Sequence, residues 1–189
     1  MFVWHPAGMT TAIEIRELAP DELARVGEID RTERIDLLYV QRGTELIERP
    51  GEFDAPAWYL DDDAGDHSVA AQQRAVLHYA GLGGVSWGAF AGDRLVGIGI
   101  VVPHLRPSIA QLAFLHVSDG FRDAGLGARL TACLEDTARH HGDTEMVVTA
   151  TPSRHTVRFY LGRGYRPMAE PLPELFELEP EDVHMSKRL

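Results

Sequence analysis

One segment constrains the chain more than any other: Phe114-Leu115-His116-Val117-Ser118-Asp119-Gly120-Phe121-Arg122-Asp123-Ala124-Gly125-Leu126-Gly127-Ala128-Arg129-Leu130. An apolar run ends in a polar loop, and the loop enters an amphipathic helix through Arg-x-x-Gly-x-Gly. Glycines at a helix start let a ligand approach the backbone closely. First-turn N–H groups have no intrahelical partner there, and the helix dipole favours an anion. The backbone of Asp123, Ala124, Gly125, Leu126, Gly127 and Ala128 therefore reads as a phosphate cradle, with Arg122 as an added cation.

Helical spacing continues through Leu126, Leu130, Cys133, Leu134 and Ala138 to Gly142, which can cap. The run before the loop fits a buried strand at 111–117. A nucleotide P-loop needs Gly-Lys-Ser/Thr, but Ala128-Arg129 follows Gly127. A dinucleotide fingerprint needs a third small residue where Leu130 stands.

A second motif follows: Ser153-Arg154-His155-Thr156-Val157-Arg158-Phe159-Tyr160-Leu161-Gly162-Arg163-Gly164-Tyr165. Together the two segments resemble the GNAT superfamily of N-acetyltransferases. Arg122, Gly125 and Gly127 match its Gln/Arg-x-x-Gly-x-Gly/Ala signature. Phe159, Tyr160, Gly164 and Tyr165 match its Asn-x-x-Ala-x-x-aromatic-Tyr-x-x-x-Gly-Phe pattern, with Ser153 in place of Asn and Thr156 in place of Ala. Ser153 can still cap its helix.

The resemblance implies a mixed α/β sheet flanked by helices, with the fourth and fifth strands splayed apart. It implies acetyl-CoA as donor and a primary amine, of a small molecule, as acceptor, by direct attack in a ternary complex without a metal. The diphosphate would sit on residues 122–128, with Ser153 nearby, and the pantetheine arm on the strand edge at Leu115 and Val117. The Val117 N–H would face the developing oxyanion, and Tyr160 would protonate the leaving sulfur. The family's usual base positions carry Gln111 and Ala113, neither of which takes a proton at neutral pH. His116 is the nearest titratable candidate, unless it faces the core; a water chain is the other route. A catalytically silent acyl-CoA sensor and a protein N-terminal or lysine acetyltransferase are the alternatives. Many relatives pair as homodimers.

Composition narrows the setting. The chain has 189 residues, enough for one domain with a sizeable core. Its net charge of −11 argues against nucleic acid as the main partner and suits a cationic substrate or plain solubility. No apolar run reaches membrane-spanning length. The start Met1-Phe2-Val3-Trp4-His5-Pro6 is not a signal peptide, and the single Cys133 suits a reducing cytoplasm. Residues 1–10 read as a disordered extension ahead of a domain at 11–189, with Met9 as an alternative start.

Elsewhere, residues 12–18 alternate as a strand, and Pro20 opens a helix with Leu23, Val26 and Ile29 inward. Residues 35–41 and 44–48 flank Arg42-Gly43 as a hairpin; a helix is the alternative. Residues 50–67 read as a loop. Ser68 caps a helix with Val69, Val76, Leu77 and Ala80 inward, interrupted by Gln73. Strands follow at 85–91, 94–102, 145–150 and 183–189, with Pro103 to Pro107 as a break. The stretch from Asp36 to Asp63, with Tyr39, Trp58, Tyr59 and the run Asp61-Asp62-Asp63, is where the resemblance implies the acceptor pocket. Aromatic faces and carboxylates suit an ammonium. Gly84-Val85-Ser86-Trp87-Gly88 matches a hydrolase elbow, but a helix precedes it and a strand follows, the reverse of what that elbow needs. The nine histidines include no His-Glu-x-x-His.

Overall fold

The computed structural model describes residues 12–189, except the side chains of residues 62–64. The expectations for residues 1–10 and Met9 lie outside the described residues, as do the side chains of Asp62 and Asp63.

Strand β1 (Ile13–Glu17) leads into a 3-10 helix at Pro20–Glu28, where an α-helix was expected. Its inward face is as read: Leu23, Val26 and Ile29 are buried. The hairpin reading holds for the next segment, β2 (Glu33–Arg42) with β3 (Glu45–Ala55), a separate two-stranded sheet whose turn is Gly43-Thr44 rather than Arg42-Gly43. β3 runs through Pro50 and Gly51, which the sequence assigned to a loop. Its residues are mostly exposed, and an edge strand tolerates a proline because no ladder bond is lost. The hairpin is tied to the body by Tyr39 N–H to Pro152 O (2.8 Å) and by Gln41, whose Nε2 donates to Met168 O (2.8 Å).

Helix α1 (Val69–Gly81) starts as expected, with the Ser68 hydroxyl accepting from Ala71 N–H at 3.1 Å. Gln73 interrupts the apolar stripe because its Nε2 donates to Ala24 O at 2.8 Å, so the polar group is satisfied against the 3-10 helix. Leu77 is 54% exposed rather than inward. β4 (Val85–Ala91), β5 (Arg94–Arg106) and β6 (Ile109–Val117) form an antiparallel meander. β5 continues past Pro103, where a break was expected. The irregularity takes the form of a register shift between Val102 and Arg106, with His104 in the left-handed region at φ 54°. Ser86 is buried near the start of β4, which runs on through Trp87 and Gly88, so the hydrolase-like motif enters a strand and not a helix.

Helix α2 (Leu126–His140), β7 (Glu145–Ala150), α3 (Arg154–Gly162), β8 (Arg166–Pro167), α4 (Pro173–Leu178) and β9 (Val183–Arg188) complete the chain. Neither β8 nor the short α4 was expected. The main sheet has seven strands in the order β1-β4-β5-β6-β7-β9-β8. All pairs are antiparallel except β6 with β7, so the sheet is mixed as expected.

α2 lies close to the sheet because β5 offers glycine beneath it. A Cβ on Gly97 would come within 3.0 Å of Leu130 Cδ1, and one on Gly99 within 2.8 Å of Leu134 Cδ1. Glu135 of α2 is buried and accepts from Lys187 Nζ through both oxygens at 2.7 Å and from Tyr165 OH at 3.3 Å, linking α2, β9 and the turn that follows α3. Leu130→Ala should cost about 2–5 kcal/mol, because its cavity is walled by sheet backbone that cannot collapse. Urea unfolding checks this, with exposed Arg74→Ala as the control, expected within about 0.5 kcal/mol of wild type.

Candidate active site

The site begins with a one-residue mismatch. Ile100 pairs with Phe114 and Val101 with Leu112, so Ala113 has no partner on β5 and forms a bulge. Bulges bend the strand that carries them. The parallel pairing of β6 with β7 ends at the same level, with Leu112 opposite Val148. Beyond it the two strands part. This is the splay that the resemblance implied, between the fourth and fifth strands in sheet order.

The polarity of the parted edge follows from register. Ser118 N–H donates to Val96 O at 2.9 Å, and Gly97 lies opposite Val117. That makes Gly97/Val117 and Gly99/Leu115 the non-hydrogen-bonded pairs, whose own N–H and C=O groups point away from β5. The peptide groups of Leu115 and Val117 therefore face the gap. The Val117 carbonyl is taken by Arg122 Nε at 3.1 Å; the Val117 N–H and both Leu115 groups lack a strand partner.

The loop after β6 is anchored at several points. Asp30 N–H donates to the Ser118 hydroxyl (3.0 Å), Asp119 N–H donates to Asp30 O (2.8 Å), and Arg122 reaches Thr32 O (2.7 Å). Arg122 is thus a brace between two loops as well as a cation at the cleft. Gly125 is the N-cap of α2 at φ 73°, a left-handed conformation that costs glycine nothing. No side chain caps this helix, and the first intrahelical bond is Arg129 N–H to Gly125 O. The N–H groups of Leu126, Gly127 and Ala128 are therefore without intrahelical partners. Gly127 is small for a reason the sequence did not disclose: a Cβ there would meet the Phe159 ring at 3.3 Å.

Together these elements enclose a cleft of about 570 Å³. Leu115, His116, Val117, Arg122, Gly127 and Tyr160 all line it. Asp123 instead lines an adjoining hollow of about 470 Å³ that shares Phe159 with the cleft and carries Arg34, Arg154 and Arg158. Ala124 is exposed at the loop tip, Leu126 sends its side chain into the core, and Ala128 is half-buried. Ser153 is fully buried. Its hydroxyl accepts from Thr156 N–H (3.2 Å) as the cap of α3 and donates to Glu33 (3.1 Å), so its side chain is not presented to the cleft.

Tyr160 is buried on α3 against Phe159 and Tyr165, at ring separations of 5.1 and 5.3 Å. Burial pushes its phenol well above the ordinary value, so it is a protonated donor across the neutral range. His116 packs edge-on against Trp58 at 5.2 Å and against Phe114 at 4.7 Å. Burial, with Arg31 and Arg122 adding repulsion, pulls its pKa down to about 4. It is a neutral imidazole with little appetite for a proton. Of the aromatics expected to shape the acceptor pocket, Tyr39 is in the core, Trp58 backs His116, and Tyr59 is exposed. From that region Ala55 lines the cleft, as do Ile35 and Asp66 just outside its two ends.

Sequence reasoning missed the far wall. Tyr79 of α1 and Glu179 and Asp182, between α4 and β9, also line the cleft. Asp182 is half-buried, and burial with the neighbouring Glu179 raises its pKa to about 7. In sequence it sits in Glu179-Pro180-Glu181-Asp182, which reads as a solvated acidic loop.

A mixed sheet whose fourth and fifth strands part over a glycine-capped helix start is the architecture of a GNAT acetyltransferase. Residues 67–188 match the family described as acetyltransferase (GNAT) domain, and the chain belongs to that family. No curated protein matches the sequence. Among solved structures, nourseothricin acetyltransferase superposes with a TM-score of 0.69 at 16% identity, covering 94% of this chain and 99% of that one. The PaiA N-acetyltransferase of Thermoplasma acidophilum, in complex with coenzyme A, gives 0.60 at 16%, covering 94% and 99%. An aminoglycoside 6′-N-acetyltransferase complexed with coenzyme A gives 0.61 at 15%, covering 93% and 96%. At these identities the likeness is one of fold.

The His116 environment makes a pH prediction. The unfolded imidazole binds its proton near pH 6.5, whereas the folded one resists until about 4. The unfolded state thus holds more protons in that window, and stability should fall as the pH is lowered through it. The imidazole NMR resonances should titrate near pH 4 and stay fixed between pH 6 and 8; a midpoint near 6.5 would contradict the desolvated placement of this half-buried ring against Trp58 and Phe114.

Proposed function

We propose that the cleft binds acetyl-CoA and that the protein transfers the acetyl group to a primary amine of a small molecule, by direct attack within a ternary complex. The parted edge of β6 carries this reading: it presents unpartnered peptide groups at Leu115 and Val117, and it leads directly to the three free N–H groups at the start of α2. An extended amide-bearing arm ending in a diphosphate fits that sequence of donors and acceptors.

Bound acetyl-CoA supplies a thioester carbonyl for the amine to attack and a thiolate to leave. The residues do the rest. Leu126, Gly127 and Ala128 offer N–H groups to the diphosphate, with Arg122 adding positive charge. Leu115 orients the arm through its peptide edge. The Val117 N–H, facing the gap, donates to the carbonyl oxygen as it gains charge. Tyr160 gives its proton to the departing sulfur. A phenol is ordinarily a weaker acid than a thiol, with pKa about 10 against about 8.5. Burial raises both, so the dry site does not widen the difference, and transfer proceeds as the carbon–sulfur bond breaks. No metal enters this scheme.

Two of the three similar structures are named for acetylating nourseothricin and aminoglycosides, which supports a small-molecule amine as acceptor. A strongly acidic chain suits a cationic one. A silent acyl-CoA sensor, suggested by Gln111 and Ala113, has no use for a buried phenol facing the same cleft.

Tyr160→Phe should keep CoA affinity and lower turnover about 10²-fold, the usual worth of general acid catalysis. Thiol release from acetyl-CoA with an amine panel measures this, and unchanged turnover with rate-limiting chemistry would remove Tyr160 from the mechanism. Gly127→Leu should abolish CoA binding in calorimetry, since the new side chain competes with Phe159 for the cleft wall; retained affinity in a folded variant would contradict the site.

A further inference from the structure

We propose that Asp182 is the group that takes the proton from the acceptor's ammonium, making the cleft its own base. The assignment rests on the acetyltransferase reading above and deepens it.

An ammonium has no lone pair, so an amine acceptor must lose a proton before it can attack. The titratable groups lining the cleft divide by what already occupies them. His116 is neutral, enclosed by Trp58 and Phe114, and sits in the field of Arg31 and Arg122. That surrounding repels an ammonium as well as a proton. Glu33 accepts from the Ser153 hydroxyl at the cap of α3. Asp66, His155 and Glu179 also line the cleft, but all three are exposed to solvent. The Asp182 carboxylate makes no hydrogen bond or ion pair among the described residues, yet it is half-buried and faces the cleft.

Its position is held by backbone. Asp182 N–H donates to Glu179 O at 3.2 Å, and the next residue, Val183, pairs with Ala150 at the end of β7. Asp182 is therefore fixed at the end of the strand that parts from β6, in the same cleft as the Tyr160 hydroxyl. Three titratable groups belong to its surroundings: Glu179 on its own loop, Tyr79 on α1, whose phenol is raised by burial and by Glu179, and His184 on β9, whose Nε2 lies 3.1 Å from Glu179 O and whose pKa is lowered by burial. Carboxylates beside an aromatic face attract an ammonium. The same carboxylate neighbour and the burial that raise Asp182 to about 7 bring it into the range where a base works at neutral pH.

The protons balance. Asp182 takes one from R–NH3⁺, leaving R–NH2. The nitrogen lone pair forms the C–N bond, the C–S bond breaks, and the sulfur takes the Tyr160 proton. The surplus proton on nitrogen restores the Tyr160 phenol, and Asp182 releases its proton to solvent. The net products are the acetamide, CoA thiol and one proton.

Two probe amines test this: propylamine, which is protonated at neutral pH, and hydroxylamine, which is already uncharged there. Thiol release from acetyl-CoA is followed against pH for the whole chain, with the enzyme-free rate for each amine subtracted. For wild type, kcat/KM with propylamine should rise with pH through about 7, since the carboxylate must be unprotonated. Asp182→Asn should lower it about 10²-fold with propylamine and flatten the rise. With hydroxylamine the variant should stay within a few-fold of wild type. Glu179→Gln should move the wild-type midpoint to lower pH. Equal losses with both amines would mark Asp182 as merely structural, and no loss with propylamine would exclude it; either overturns the assignment. If wild type releases no thiol with either amine and CoA fails to bind in calorimetry, the acetyltransferase reading itself fails and Asp182 falls with it. CoA binding with no thiol release from either amine overturns the Asp182 assignment alone.

Discussion

The molecule depends on an unmatched residue. Ala113 has no partner across β6–β5, and at that level β6 loses β7 as well. A sheet normally satisfies its peptide groups, and a buried one left without a partner costs about 1–3 kcal/mol. Here the break is tolerated because the freed edge lines an open cleft. Everything around it keeps the edge in place. β5 holds the far side of β6, Ser118 and Arg122 pin the following loop to residues 30–32, and Gly97 and Gly99 let α2 settle close enough to bring its uncapped start beside the gap.

The cleft carries both signs of charge. Burial holds His116 neutral, with Arg31 and Arg122 adding to the effect, whereas burial and then Glu179 raise Asp182. Arg31, Arg122 and the positive end of a helix line this cleft together with Tyr79, Glu179 and Asp182, and Glu33 and Asp66 line it too. The proposed anionic donor and cationic acceptor would find different surroundings in one cavity. Environments that push titratable groups in different directions are the mark of assigned acid and base roles. Tyr160 stays protonated and Asp182 is poised to exchange.

Much of this was legible in the residues. The turn into α2, the buried strand before it, the Ser68 and Ser153 caps and the hairpin around Gly43 are local signals, and local chemistry decides them. What was not legible is tertiary. Pro50 and Pro103 read as breaks because nothing in the sequence says that the strand around each is free to be irregular. Gly127 looked like a concession to ligand and is also one to Phe159. Ser153 matched a binding position, but burial leaves its hydroxyl only Thr156 and Glu33. Tyr39 joined the core because β2 packs on α3. Asp182 was hidden in an acidic run, and only the pairing of Val183 with Ala150 places it beside the gap.

The central claim is that the parted β6 edge is the binding surface for the donor. Residue-resolved amide hydrogen exchange, with and without acetyl-CoA, tests it most directly. The Leu115 and Val117 amides, which lack a strand partner, should exchange quickly in the free protein and slow strongly on binding, together with Leu126, Gly127 and Ala128. The amides of His116 and Ser118, already paired to β5, should change little. Protection that appears elsewhere on the molecule, with Leu115 and Val117 unaffected at saturating acetyl-CoA, would contradict it.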